Sequence, residues 1–496
     1  MERRDVEVEE LVGREYAQAL LRAETLVPGA GRELIEPMLA DARLVIDSVT
    51  LQPDRVVVEG TAACQAVYRQ GEASELRGIA AQAPLSQVIE LPGAAEGMLS
   101  RAWGGVEHVE AKYENGHIVF LVTCGIHVQL LRLASREIVT GIEGQDGLQT
   151  DFKTLTSVKL AAEAEATANL RDTVALPDAL DARAALMDWA AVAVESVEPD
   201  LGGARVKGRV MVETLISSGV QGRPAALVRY SLGFDQLIGL PDWLAKDVFV
   251  RAEIVGLRTR IEPVREGESE AGLACEADVR LKAIANVREE FTALADVYAT
   301  RGASLDVERG PLSFCAAARQ DRFTELVRGA MLISENAPGV GTVIAARVNP
   351  VVGELRAENG RGRICGVLEA AVLYLPGGSE LAASARSELP FEIALPVPLD
   401  EDSIVGIQVL SAEASALMSD RLELKAQLAV CCETRRRETA ELVRDVTEGA
   451  PLQRRPGIVI YWPQEGETAW QLGRRYAIPA DQAGEAEAGK PLVVRS

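Results

Sequence analysis

Three stretches of the chain, Val57-Val58-Glu59-Gly60-Thr61, Arg205-Val206-Lys207-Gly208-Arg209 and Arg363-Ile364-Cys365-Gly366-Val367, each set a glycine inside a strand-like run. The glycines lie 148 and 158 residues apart, so the repeated unit is domain-sized and not a short solenoid repeat. Eight positions after each glycine stands a large apolar residue, Tyr68, Ile216 or Tyr374. A proline follows at 32, 33 and 32 positions, Pro92, Pro241 and Pro398, with Leu85, Phe234 or Phe391 seven residues ahead of it. Glycine inside a strand marks a bulge or a close approach of another backbone, which is a packing role.

Period-two alternation runs through Leu422, Leu424, Ala426, Leu428 and Val430, with Glu423, Lys425 and Gln427 between them, as in a half-buried antiparallel strand. In the first copy, Asn115-Gly116 between two apolar segments is a two-residue hairpin signal. That loop would set His108 opposite Thr123 and His117 opposite Glu114. The segments Ala19 to Pro28, Ala168 to Pro177 and Leu326 to Pro338 mix helical and strand spacing, with strand favoured. Gly141 to Gln149, Arg301 to Pro311 and Thr447 to Pro456 are polar and rich in glycine or proline and read as linkers. The fold class is therefore mainly β: three repeated antiparallel β-rich domains, 1–147, 148–303 and 304–446, a linker 447–457, and a distinct module 458–496.

A formal net charge of -22 repels phosphate backbones and anionic lipid, so nucleic acid is not expected as a partner. The apolar stretch Ile118 to Leu133 is broken by His127, Gln129 and Arg132 and falls short of the roughly 20 residues of a bilayer span. No signal-peptide core follows Met1, so an intracellular, cytoplasmic protein with no integral membrane segment is expected. Seven cysteines without a CxxC pair read as reduced, buried small hydrophobes.

No catalytic, metal or cofactor site is expected. Gly484 to Pro491 has the P-loop spacing up to Lys490, but Pro491 replaces the magnesium-binding hydroxyl residue and two glutamates would repel phosphate. Pro338-Gly339-Val340-Gly341 lacks the third glycine of a dinucleotide fingerprint. All three histidines fall in the first copy, and GxSxG and HExxH are absent. The chain reads as not an enzyme. Arg435-Arg436-Arg437 and Arg454-Arg455 form a basic patch, read as a solvated edge or a steering surface for an acidic partner or membrane.

After the last linker comes Ile458-Val459-Ile460-Tyr461-Trp462-Pro463-Gln464-Glu465-Gly466-Glu467-Thr468-Ala469-Trp470, continuing to Tyr476. This predicts a short strand, a turn at Gln464-Glu465-Gly466, and a helix capped by Thr468. The run resembles the LysM module, and Gly466, Glu467, Thr468, Trp470 and Tyr476 match its pattern. With Trp462 they are the candidate partner- or glycan-binding residues, although for Trp470 a core position stays open. Only Ala480 to Lys490 separates Pro479 from Leu492-Val493-Val494, so the module is an α/β unit of shortened βααβ type. Because the resemblance implies glycan contacts from the loop after the first strand together with the loop before the last, the shortening moves the expectation from sugar toward protein docking.

A threefold β-rich repeat closed by a LysM-like module is similar to the SPOCS-domain proteins of endospore-forming bacteria. The resemblance implies a mother-cell protein of spore-envelope assembly, at the forespore surface, that recruits a coat-scaffold ATPase through its C-terminus. The alternative is a LysM-type protein that binds peptidoglycan or another N-acetylglucosamine glycan.

Overall fold

The computed structural model describes residues 1–29, 34–71, 75–144, 146–263, 271–334, 337–358, 360–400, 402–452, 458–483 and 491–495. Arg454, Arg455 and most of the P-loop-like stretch lie outside them.

The chain is mainly β and antiparallel, and among the described residues eighteen of the twenty strands fall into three sets of six with one topology. The first unit holds β1 (Glu2–Leu26), β2 (Ile35–Gln52), β3 (Arg55–Gln70), β4 (Leu76–Glu90), β5 (Leu99–Glu114) and β6 (His117–Gly141). The second holds β7 (Leu148–Leu176), β8 (Ala182–Asp200), β9 (Gly203–Ser218), β10 (Ala225–Gly239), β11 (Val248–Glu262) and β12 (Ala271–Ala299). The third holds β13 (Ala303–Leu332), β14 (Val340–Glu358), β15 (Arg361–Pro376), β16 (Ala383–Ala394), β17 (Ile404–Met418) and β18 (Arg421–Pro451). In each unit the first, sixth and fifth strands form one three-stranded sheet and the second, third and fourth another. The two sheets of each unit close on an apolar core, around Phe120, Val206 and Tyr374 respectively, and the second unit has a further cluster of Leu176, Ile216, Ala226 and Leu273. Beyond these, β19 (Ile458–Tyr461) pairs with β20 (Leu492–Arg495), and α1 (Ala469–Tyr476) lies between them in sequence.

The three glycines do the same thing three times. Gly60, Gly208 and Gly366 pair with Leu85, Phe234 and Phe391, the large residues that the repeat placed ahead of the prolines. On the other side, the neighbouring strand bulges at Ile46/Ser48, Val194/Ser196 and Val352/Glu354. A Cβ on these glycines would sit 2.3, 2.5 and 2.3 Å from the carbonyl oxygens of Val45, Ala193 and Val351. No side chain fits there, and the bulge bends the strand around the core. Asn115 and Gly116 both take positive φ, 48° and 86°, and their loop pairs Glu114 with His117 and His108 with Thr123.

Ala19, Ala168 and Leu326 lie in strands that begin far earlier, at Glu2, Leu148 and Ala303. Residues 303–311 are therefore strand where a linker was expected, and β18 continues through 447–451, with Ala303 paired to Pro451. These long extensions leave their own sandwiches and pack on one another. Val6, Val8 and Ile138 of the first unit meet Phe291 and Ala293 of the second and Leu312, Phe314 and Leu442 of the third.

A second shared cluster joins the smaller sheets. Leu39, Met187 and Ala345 meet there with Val67, Leu215 and Leu373, each trio separated by the same 148 and 158 residues as the glycines. The units thus form a closed ring in which each touches the other two. At one of these contacts Gly78 of β4 faces Leu186, a bulged residue of β8, and an added Cβ would lie 2.1 Å from the Leu186 carbonyl oxygen. Gly78→Ala should therefore lower stability by about 1–3 kcal/mol and speed amide exchange in β8. An unchanged denaturation midpoint would show that this approach is relieved without loss.

Between the clusters lies a buried ionic junction. Glu9 of β1 accepts two bonds from Arg435 of β18, at 3.0 and 2.8 Å, and one from the Leu160 amide of β7 at 3.0 Å. Arg435 also donates to Asn286 of β12 at 2.7 Å, and Arg437 pairs with Asp402. Glu433 takes Arg251 of β11 in a two-pronged pair, 2.6 and 3.0 Å, and pairs with Arg101 of β5. This corrects the reading of Arg435–Arg437 as a solvated basic edge. The Arg435 side chain is 1% exposed and that of Arg436 61%, because strand alternation sends only the first and third arginines inward.

Candidate functional site: the C-terminal unit and its seat

Gly466 takes φ 86° in the turn after β19, a value that suits glycine, and nothing crowds it. Thr468 then caps α1 with a capping box: its hydroxyl accepts from the Gln471 amide, while the Gln471 side chain accepts from the Thr468 amide. Glu467 is spent locally. It accepts from the Tyr461 hydroxyl at 2.6 Å and the Gln464 amide at 2.9 Å and pairs with Arg475 at 2.8 Å, and these bonds hold its carboxyl below the usual range. Tyr461 and Tyr476 meet edge to face at 5.8 Å over Leu472 and Ile478, so Tyr476 belongs to the small core.

Alternation along β19 turns Tyr461 inward and leaves Ile458, Ile460 and Trp462 exposed, at 68%, 55% and 57%. Trp462 thus stands on the outer side of the ribbon. Trp470 points away from it, toward the second unit, and the predicted residues do not converge on a single surface.

The seat of the unit is the end of β12. Ala295 is bulged out between Leu294 and Asp296, which aims Asp296 at the helix. Its carboxylate accepts from the Trp470 indole N–H at 2.8 Å, from Arg474 at 3.0 Å, from the Val297 amide at 2.7 Å and from Arg309. Burial works to raise the Asp296 pKa, but these donors prevail and hold it below the ordinary carboxylate range. Tyr298 stacks edge to face on Trp470 at 4.8 Å and donates its hydroxyl to the Ile478 carbonyl at 2.9 Å. Burial first, then Asp481 and Asp296, push that phenol up to about 12, so it keeps its proton. A Cβ on Gly473 would lie 2.3 Å from the Tyr298 hydroxyl.

Asp296, Tyr298, Arg309 and Arg474 were not singled out by the sequence reading. A signal was present in the repeat, since the corresponding bulges of β6 and β18 are followed by Gly141-Ile142-Glu143 and Asp445-Val446-Thr447, where the second unit has Asp296-Val297-Tyr298.

The histidines are dispersed. His108 contacts Glu369 of the third unit at 2.8 Å, His117 contacts the Asn115 carbonyl at 3.1 Å, and His127 lies between Tyr16 and Trp103. Burial and Arg14 lower the His127 pKa, so its ring is neutral near pH 7. Among the described residues no group of three or more His, Cys, Asp or Glu could hold a metal ion, and no helix is long and apolar enough to cross a membrane. Cys64, Cys124, Cys275, Cys315 and Cys432 are buried free thiols.

Residues 38–114, from β2 to the end of β5, match the SPOCS domain family described as SipL, SPOCS domain. The matched span holds Gly60, Leu85, Pro92 and the β2–β3–β4 pairings that recur in the other two units. No curated protein and no solved structure matches the chain. This match of residues 38–114 to a SPOCS domain suggests a sporulation-related role.

Proposed function

We propose that the chain is a non-enzymatic assembly factor of the spore envelope, acting in the mother cell at the forespore surface. Its three-unit body serves as a platform, and the C-terminal unit docks a coat-scaffold ATPase. The match of residues 38–114 to the SPOCS domain carries this reading. The small terminal unit supports it, with a capped helix, a β ribbon and exposed apolar residues on β19.

Deleting residues 458–496 should abolish co-purification of the scaffold from sporulating cells, while the body retains cooperative unfolding. Undiminished co-purification would sink the proposal. The Gly466–Thr468 turn leading into the Trp470 helix favours one other reading, a LysM-type glycan binder. Retention on purified sacculi that disappears in Trp470→Ala would move the role to peptidoglycan.

A further inference from the structure

The terminal unit meets the body through chemistry that one of three equivalent places offers. Asp296 and Tyr298 stand two residues apart at the end of β12 and so face the same side. Together they present a carboxylate and an aromatic ring. The terminal unit answers with the Trp470 indole N–H, the Arg474 guanidinium, the bare backbone of Gly473 and the Ile478 carbonyl. At the corresponding places the first unit has Gly141 and Glu143, and the third has Asp445 and Thr447, with Asp445 bound by Arg3. Neither combines carboxylate and ring.

We propose that the Trp470–Gly473–Arg474 face is a recognition surface for an extended segment carrying a carboxylate two residues before an aromatic ring. Asp296–Tyr298 is its resident copy. The proposal rests on the reading that the terminal unit docks a protein, and it names the partner's chemistry. Arg474 supplies charge complementarity, the indole N–H fixes the carboxylate in register, the Trp470 ring takes the aromatic edge to face, and Gly473 leaves room for its hydroxyl. The terminal unit is part of the same chain as its seat, so a partner strand competes against a high local concentration and gains the face only as the resident leaves it.

The test uses the full chain with Asp296→Asn and Tyr298→Ala together, and a labelled peptide copying residues 290–301. By fluorescence anisotropy the double variant should bind this peptide at least about tenfold more tightly than the unaltered chain. A peptide with Asn and Ala at the two positions should bind neither chain. Adding Trp470→Phe and Arg474→Gln to the double variant should return peptide binding to the unaltered level. Equal affinity of the two chains, or equal binding of the two peptides, overturns the proposal. Loss of amide protection in α1 of the double variant does so as well, because a face that exists only on its seat cannot receive a partner. Scaffold capture retained without peptide binding would remove this recognition rule alone, whereas peptide binding retained without capture would remove the tethering role alone.

Discussion

Glu433→Ala is expected to loosen the junction of all three units, with a loss of about 3–5 kcal/mol in chemical denaturation. The carboxylate is 2% exposed and lies between Arg101, also 2% exposed, and Arg251, which come from different units. Removing it leaves the buried Arg101 guanidinium without its carboxylate and takes from Arg251, 24% exposed, its two-pronged partner, and the unpaired buried charge sets the size of the effect. Burial alone would raise the Glu433 pKa, but Arg251 and Arg101 outweigh it and hold the group well below the carboxylate range. A depressed folded pKa stabilises fully above the unfolded value of about 4.3 and is lost as pH falls from there toward the folded value. The gap between wild type and Glu433→Ala should therefore be constant from pH 8 to about 5 and shrink in stronger acid. Replacing Arg101, Arg251 and Glu433 together by apolar residues of similar volume should cost far less than the single change. A single variant as stable as wild type would show that the junction does not hold the ring together.

Gly366→Ala is expected to cost about 2 kcal/mol, and Gly366→Val more. The added Cβ meets the Val351 carbonyl oxygen at 2.3 Å and the Phe391 ring at 2.8 Å. The first is backbone, held in the bulge at Val352/Glu354, and cannot turn aside as a side chain could. The gain from a less flexible unfolded chain, about 0.4–1 kcal/mol, offsets only part of the clash. Gly406 of β17 has open space around its Cβ position, so Gly406→Ala should stay within about 0.5 kcal/mol of wild type. Thermal midpoints of the two variants compare them directly, and equal midpoints would remove the steric account of the repeat.

Much of the strand pattern was legible because it is local. Leu422, Leu424, Ala426, Leu428 and Val430 alternate inward as their spacing required, and each is buried to 1% exposure or less. Asn115-Gly116 fixed its hairpin register for the same reason, since the loop itself sets the pairing. The long extensions were not legible. Residues 303–311 look like a linker by composition, yet they are strand because β18 runs beside them and satisfies their backbone. Trp470 was ambiguous between core and contact, and its place against Asp296 and Tyr298 depends on residues more than 170 positions away.

The sequence by itself determined that this chain repeats one strand-built unit three times, and where a glycine must let a neighbouring strand bulge. Those are relations between residues close in the chain, set by the two-residue period of a strand and by the absence of a side chain. Only the tertiary structure decided that the units close into a ring, that Arg435 and Arg437 point into it, and that the terminal unit sits on the second unit. Such choices turn on which side chains meet across units, as Glu9 and Arg435 do over a separation of 426 residues. Burial then makes a distant carboxylate the required partner of an arginine that, read along the chain, belongs to a surface patch.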